Sequence, residues 1–133
     1  MEIVNEHVKM LSKKIICSRD LTAEFKELFK SPEAKVKSVV YFILSDKPIP
    51  RVKGESRILY IGQTVQSINK RYYRYSEHLA SNSTGEFYEY IIKNFGGITM
   101  GYINSDNPRK TEKEYFKKYF KTYLDYPPKS KVG

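Results

Sequence analysis

The sequence predicts an α+β domain, a small three-stranded antiparallel sheet flanked by helices, preceded by a helical extension. Three observations predict it. Runs rich in β-branched and aromatic residues at 38–44, 57–62 and 98–103 read as strands. Between and after them the apolar period switches to that of helices. Two adjacent strands joined by a connection of the length of residues 45–56 most simply pair antiparallel.

In the first segment Ile3, Val4, Val8, Leu11 and Ile15 fall at helical spacing, which predicts a helix over 3–16. A second helix is predicted over 20–30, capped by Asp20, with Leu21, Phe25, Leu28 and Phe29 inward and Ser31-Pro32 as its stop. Residues 1–36 thus read as a helical extension packed on a main domain of residues 37–133. In that domain SVVYFIL at 38–44 is a buried strand. Residues 45–56, with two prolines and a glycine, read as a loop, and RILYIG at 57–62 as the second strand. A helix over 66–80 places Ile68, Tyr72, Tyr75 and Leu79 on one face. Ser83-Thr84-Gly85-Glu86 has the form of a capping box opening another helix, with Phe87, Tyr90 and Ile91 inward and a stop between Asn94 and Gly97. ITMGYI at 98–103 is the third strand. Asn107-Pro108 opens the last helix, over 108–124, and Pro127-Pro128 lies beyond it.

One domain is the expected size for 133 residues, and 40% hydrophobic with 29% charged residues fits a globular class. No apolar run approaches the roughly 20 residues of a membrane helix. MEIVNEHVKM has no signal-peptide core or lipidation pattern. The single cysteine, Cys17, excludes an internal disulfide framework and reads as a small buried hydrophobe. One Cys and two His argue against the usual zinc sites. The expected location is a reducing cytoplasm. A net charge of +9 points to a polyanionic partner, of which nucleic acid is the commonest in a cell. The basic excess falls in 51–80 and 109–133, whereas 81–108 is net acidic.

Those basic blocks also hold most of the motif residues, all but the first tripeptide. Val39-Val40-Tyr41 is followed by Tyr60-Ile61-Gly62-Gln63-Thr64, then Ser67-Ile68-Asn69-Lys70-Arg71, then His78, and the last helix carries Glu112. In this order the chain resembles the GIY-YIG nuclease family over about residues 38–130. Val39 stands where glycine is usual, the connection from Tyr41 to Tyr60 is longer than usual, and Ser130 stands where an asparagine often follows a proline. The resemblance implies a metal-dependent endonuclease, a hydrolase that cuts DNA with one Mg²⁺ or Mn²⁺ ion.

Helix geometry separates candidates independently. At about 100° per residue, Arg71 and His78 share a flank of the 66–80 face, and Arg74 points about 50° further out. Arg71 ranks first and Arg74 second; the plain alternative for each is a solvated helix charge, and for His78 a partly buried structural histidine. On the last helix Tyr115, Phe116, Tyr119 and Tyr123 define the inner face. Glu112 points along it and Glu114 away, and Glu114 has a capping-box role available with Thr111. An inward carboxylate is costly unless paired or metal-bound, so Glu112 is the metal-ligand candidate, with a buried ion pair as the alternative.

The resemblance implies that Glu112 holds the ion, Arg71 binds the scissile phosphate, and Tyr60 or Tyr41 orients the attacking water, with His78 nearby. Gly62, Gln63, Lys70, Arg74, Lys117, Lys118 and Lys121 are the expected nucleic-acid contacts, joined by tail lysines such as Lys129. The alternative is a non-catalytic nucleic-acid-binding module on the same fold, or more remotely a protein-interaction domain.

Overall fold

The computed structural model describes residues 8–17, 19–72 and 82–130. Its elements are β1 (Lys9–Met10), α1 (Leu21–Lys30), a 3₁₀ turn (Pro32–Lys35), β2 (Lys37–Pro50), β3 (Glu55–Ser67), α2 (Ile68–Tyr72), α3 (Asn82–Phe95), β4 (Ile98–Asn104) and α4 (Pro108–Tyr123). The class is α+β. The sheet has four strands in the order β1-β4-β2-β3, all neighbours antiparallel, not three as expected. Among the described residues no helix is long and apolar enough to cross a membrane.

The additional strand comes from the segment predicted as a helix over 3–16. Residues 3–7 lie outside the described residues, and 8–17 run extended along the open edge of β4. Lys9 and Met10 pair with Tyr102 and Gly101, and Ile15 bridges Ile98 with N–H···O distances of 2.9 and 2.8 Å. Val8 packs with the cluster on one face of the sheet, while Leu11 and Ile15 pack with the cluster on the other. A helix would have kept all three on one side. The unsatisfied edge of β4 offers backbone partners that outweigh the local helical spacing. Beyond Ile15, Ile16 and Cys17 are exposed, so the cysteine is not the buried hydrophobe expected of it.

α1 follows the prediction: Asp20 accepts a hydrogen bond from the Ala23 N–H at 3.1 Å, Leu21, Phe25, Leu28 and Phe29 are buried, and the helix ends at Ser31. The 45–56 loop is instead the end of a long hairpin. β2 and β3 continue through Ile49↔Ser56 and Pro50↔Glu55 to a turn at 51–54, closed by Arg51 N–H···O Gly54 at 2.9 Å, with Gly54 at φ +70°. Residues 45–48 bulge against Arg57, whose Nε donates to the Ser45 carbonyl at 2.8 Å. Pro48 has no N–H to pair, and the bulge absorbs it. β3 also runs five residues past its predicted end, to Ser67, whose hydroxyl accepts from the Lys70 N–H at the start of α2.

In α3, Tyr88 and Ile91 face the core, while Tyr90, expected inward, is 61% exposed. α4 is capped by Asn107, which accepts from the Lys110 N–H at 3.3 Å, and Pro108 opens it. Thr111 is therefore inside the helix and bonds Ser105 at 2.7 Å; the Thr111–Glu114 capping box expected from the sequence does not form. Two apolar clusters result. One holds Val39, Tyr41, Ile43, Leu59, Ile68 and Tyr88 with α1, on the side of the sheet that α1, α2 and α3 cover. The other holds Val40, Phe42, Leu44, Ile58 and Ile61 under Tyr119 and Tyr123 of α4.

Asp46 ties three segments together. It accepts from the Gly97 N–H at 2.8 Å and pairs with Lys14 at 2.8 Å, and its own N–H donates to the Gly97 carbonyl at 3.0 Å. Burial works to raise its pKa, but Lys14, the Gly97 N–H and Arg57 together leave it lowered. A lowered carboxylate contributes stability above the unfolded pKa and loses it as pH falls through the folded value. Asp46→Ala should cost about 1 kcal/mol at neutral pH, shrinking toward nothing in acid. Denaturant unfolding across that range measures it; a pH-independent cost would discard the ionic contribution.

Candidate functional site

The hairpin register builds the site. Tyr41 pairs with Gly62, Ile43 with Tyr60 and Leu44 with Ile58, so Leu59 is an extra, unpaired residue in β3. Strand side chains alternate between faces, and one inserted residue resets the alternation. Because of Leu59, Tyr60 shares the face of Tyr41. The two rings stack with centroids 5.9 Å apart and planes 28° apart. Tyr41 is buried, and Tyr60 is half-buried at the rim.

Gly62 lies directly across from Tyr41. A Cβ there would collide with the Tyr41 ring carbons and hydroxyl. The glycine of the Tyr-Ile-Gly tripeptide therefore makes room for the tyrosine of the opposite strand. Ile68 of α2 packs into the same cluster as Tyr41, which puts the helix bearing Lys70 and Arg71 on the tyrosine side of the sheet. Lys70 is exposed. The Arg71 backbone lies in α2; its side chain, and all of Arg74 and His78, lie outside the described residues.

Glu112 is placed differently. It continues the buried stripe of Tyr119 and Tyr115 one turn toward the start of α4, and α4 packs on the opposite face of the sheet, with Tyr115 edge-on to Phe42 at 5.1 Å. Gln63 pairs with Val40, so it shares the α4 face and not that of Gly62. The structure thus brings Tyr41, Tyr60, Gly62 and α2 together on one side. It puts Gln63, Glu112 and the helix of Lys117, Lys118 and Lys121 on the other. All three lysines are exposed, and the Lys118 ammonium lies over the Tyr115 ring at 5.2 Å.

Glu112 is half-buried, and burial raises its pKa despite the opposing pull of Arg109 and Lys113. Its single carboxylate fits a Mg²⁺ ion of the kind that keeps most of its waters. Among the described residues no group of three or more His, Cys, Asp or Glu gathers around a common point.

Sequence reasoning missed Tyr88 beside the tyrosine pair, and it named Lys129 and Ser130 without their place against β3. Tyr88 is fully buried; burial and then Tyr60 hold its hydroxyl protonated far above the usual phenol range. Lys129 donates to the Thr84 hydroxyl at 3.4 Å and lies over the Phe87 ring at 5.4 Å, while its N–H donates to the Leu59 carbonyl at 2.9 Å. The Ser130 hydroxyl accepts from the Ile61 N–H at 2.8 Å. The tail thus covers the open edge of β3 at the bulge. The only signal for this in the sequence is the proline pair that ends α4, which says where the helix stops but not where the chain goes.

No model of a known family, no curated protein and no solved structure matches this chain.

Two measurements check this geometry. Gly62→Ala should cost about 1–3 kcal/mol by overpacking against Tyr41. In a Tyr41→Leu background the same change should cost clearly less, and equal costs in the two backgrounds would refute the contact. A raised carboxylate pKa means that the ionised form burdens the fold above the unfolded pKa. Glu112→Gln should therefore be slightly more stable than the parent at neutral pH without metal, by less than about 1 kcal/mol. The difference should close near about pH 3.5, where both side chains are neutral. Melting curves with a chelator test the sign.

Proposed function

We propose that this chain is a metal-dependent endonuclease of the GIY-YIG type that hydrolyses nucleic-acid phosphodiester bonds, with DNA as its substrate. The observation that supports this reading best is the Tyr41–Tyr60 stack over Gly62, on the same side of the sheet as the helix that bears Arg71. It gives a physical reason for Tyr41, Tyr60 and Gly62 within the two tripeptides on which the resemblance rests.

Hydrolysis needs an oriented water, neutralised phosphate charge and help for the leaving oxygen. Tyr60, the more accessible of the two phenols, orients the water. Tyr41 is buried beneath it and holds its ring in place. The Arg71 guanidinium supplies charge-assisted hydrogen bonds to the scissile phosphate. Lys70 and Lys129 add positive charge to the tyrosine side of the sheet. Glu112, on the α4 side of the sheet, would hold one Mg²⁺ or Mn²⁺, an ion that would supply neutralising charge to a phosphate and its leaving oxygen.

A second reading has one specific observation in its favour. α4 packs on the face of the sheet opposite the tyrosine pair, so the acid and the phenols do not line a common wall. A nucleic-acid-binding module without cleavage activity needs no such wall.

Cleavage of plasmid and oligonucleotide substrates with Mg²⁺ or Mn²⁺ separates the two. On the first reading the parent cuts, and Arg71→Ala, Tyr60→Phe and Glu112→Gln each lower the rate at least about a hundredfold while the fold persists. Mg²⁺ should also raise the melting temperature of the parent but not of Glu112→Gln. Cleavage that survives Glu112→Gln removes that residue from the site. Salt-sensitive binding with no cleavage in either metal selects the second reading.

A further inference from the structure

α4 ends in a surface feature that neither reading uses. Leu124 takes a left-handed conformation at φ +53°, its N–H closing the helix on the Phe120 carbonyl at 2.8 Å, and the chain reverses. Tyr126 thereby lies beside Phe120, with ring centroids 5.0 Å apart and planes 31° apart. Both rings are open to solvent, Phe120 at 42% and Tyr126 at 39%. Tyr126 is held there by its backbone, whose carbonyl accepts from Arg51 at 2.8 Å and whose N–H donates to Asp125 at 2.8 Å.

The charge along the helix flank that leads to the rings is positive. At about 100° per residue, Arg109, Lys113, Lys117 and Phe120 fall within an arc of about 80° on one flank of α4. Successive cations are four residues, about 6 Å, apart along the axis. All three are exposed. Glu112 and Glu114 lie about 60° outside the arc on either side. Asp125, next to Tyr126, is answered by Arg51 at 3.6 Å. A row of cations ending on a pair of exposed rings suits a backbone of phosphates followed by an unstacked base. A protein surface would be met more economically by a flank with mixed charge, and duplex DNA keeps its bases stacked.

We infer that the Arg109–Lys117 flank of α4 and the Phe120–Tyr126 rings form a binding platform for single-stranded nucleic acid, the lysines following phosphates and the rings stacking an unpaired base. This rests on the nucleic-acid reading above, in its cutting or its non-cutting form. It adds a preference for substrates that carry a single-stranded segment.

The test is fluorescence anisotropy of the full chain, in chelator so that nothing is cut, against a labelled oligothymidylate and a duplex of equal length. The parent should bind the single strand more tightly than the duplex. Phe120→Ala and Tyr126→Ala should each weaken single-strand binding about tenfold, with little effect on duplex binding or on the salt dependence. Phe120→Trp should retain binding. Lys117→Ala should lower the salt slope by roughly 0.7 on the single strand. Alanine variants that melt like the parent and bind the oligothymidylate equally well would overturn the platform and leave the nucleic-acid reading standing. A parent that binds neither nucleic acid overturns both. Concentration-dependent self-association that Phe120→Ala abolishes would make the rings a protein contact and overturn the platform.

Discussion

One inserted residue in β3 decides which way the tyrosines point. Leu59 has no partner in β2, and everything after it in the strand is turned over relative to a regular ladder. Without that insertion Tyr60 would face α4, and Tyr41 would lack its stacking partner. With it, Tyr60, Gly62 and Thr64 lie on the side of Tyr41, and Ile61 and Gln63 on the other. The bulge also lies on an edge strand. Its exposed groups are met by the tail, through Lys129 to the Leu59 carbonyl and Ser130 to the Ile61 N–H, so the irregularity is held from both sides.

The same alternation divides the chemistry of the domain. Among the described residues the tyrosine side is covered by α1, α2 and α3, with Tyr60 half-buried. Among the described residues the other side is covered by α4, an amphipathic helix with buried tyrosines inward and lysines outward, with Val8 beside it. This separates Glu112 from the phenols and sets the terms on which the catalytic reading stands. The cost of holding that carboxylate half-buried is visible in its raised pKa, and Arg109 and Lys113 offset only part of it.

The N-terminal residues show how a local pattern is overruled. Val8, Leu11 and Ile15 are spaced as on a helix, yet they pack on opposite faces of the sheet. An extended segment can do this while also satisfying the open edge of β4. Glu33 reinforces the route from the 3₁₀ turn, accepting from both the N–H and the hydroxyl of Ser12 at 3.2 Å. Residues 8–17 are therefore part of the sheet and not a separate helical unit before it.

Local pattern alone determined much of this protein. α1 with its Asp20 cap, the strand cores at 38–44, 57–62 and 98–103, and the Asn107-Pro108 start of α4 all follow from periodicity, capping and β-branched runs, which act within a few residues. The inward stripe of Tyr119 and Tyr123 is legible for the same reason. Tertiary structure decided the rest: the fourth strand, the extended hairpin across Pro48, the Leu59 bulge, the outward Tyr90 and Cys17, and the faces to which Glu112 and Gln63 belong. Each of these depends on which backbone edge or core surface is available from a distant part of the chain. A sequence pattern states which side of a helix or strand is apolar; only the assembled sheet states what lies against it.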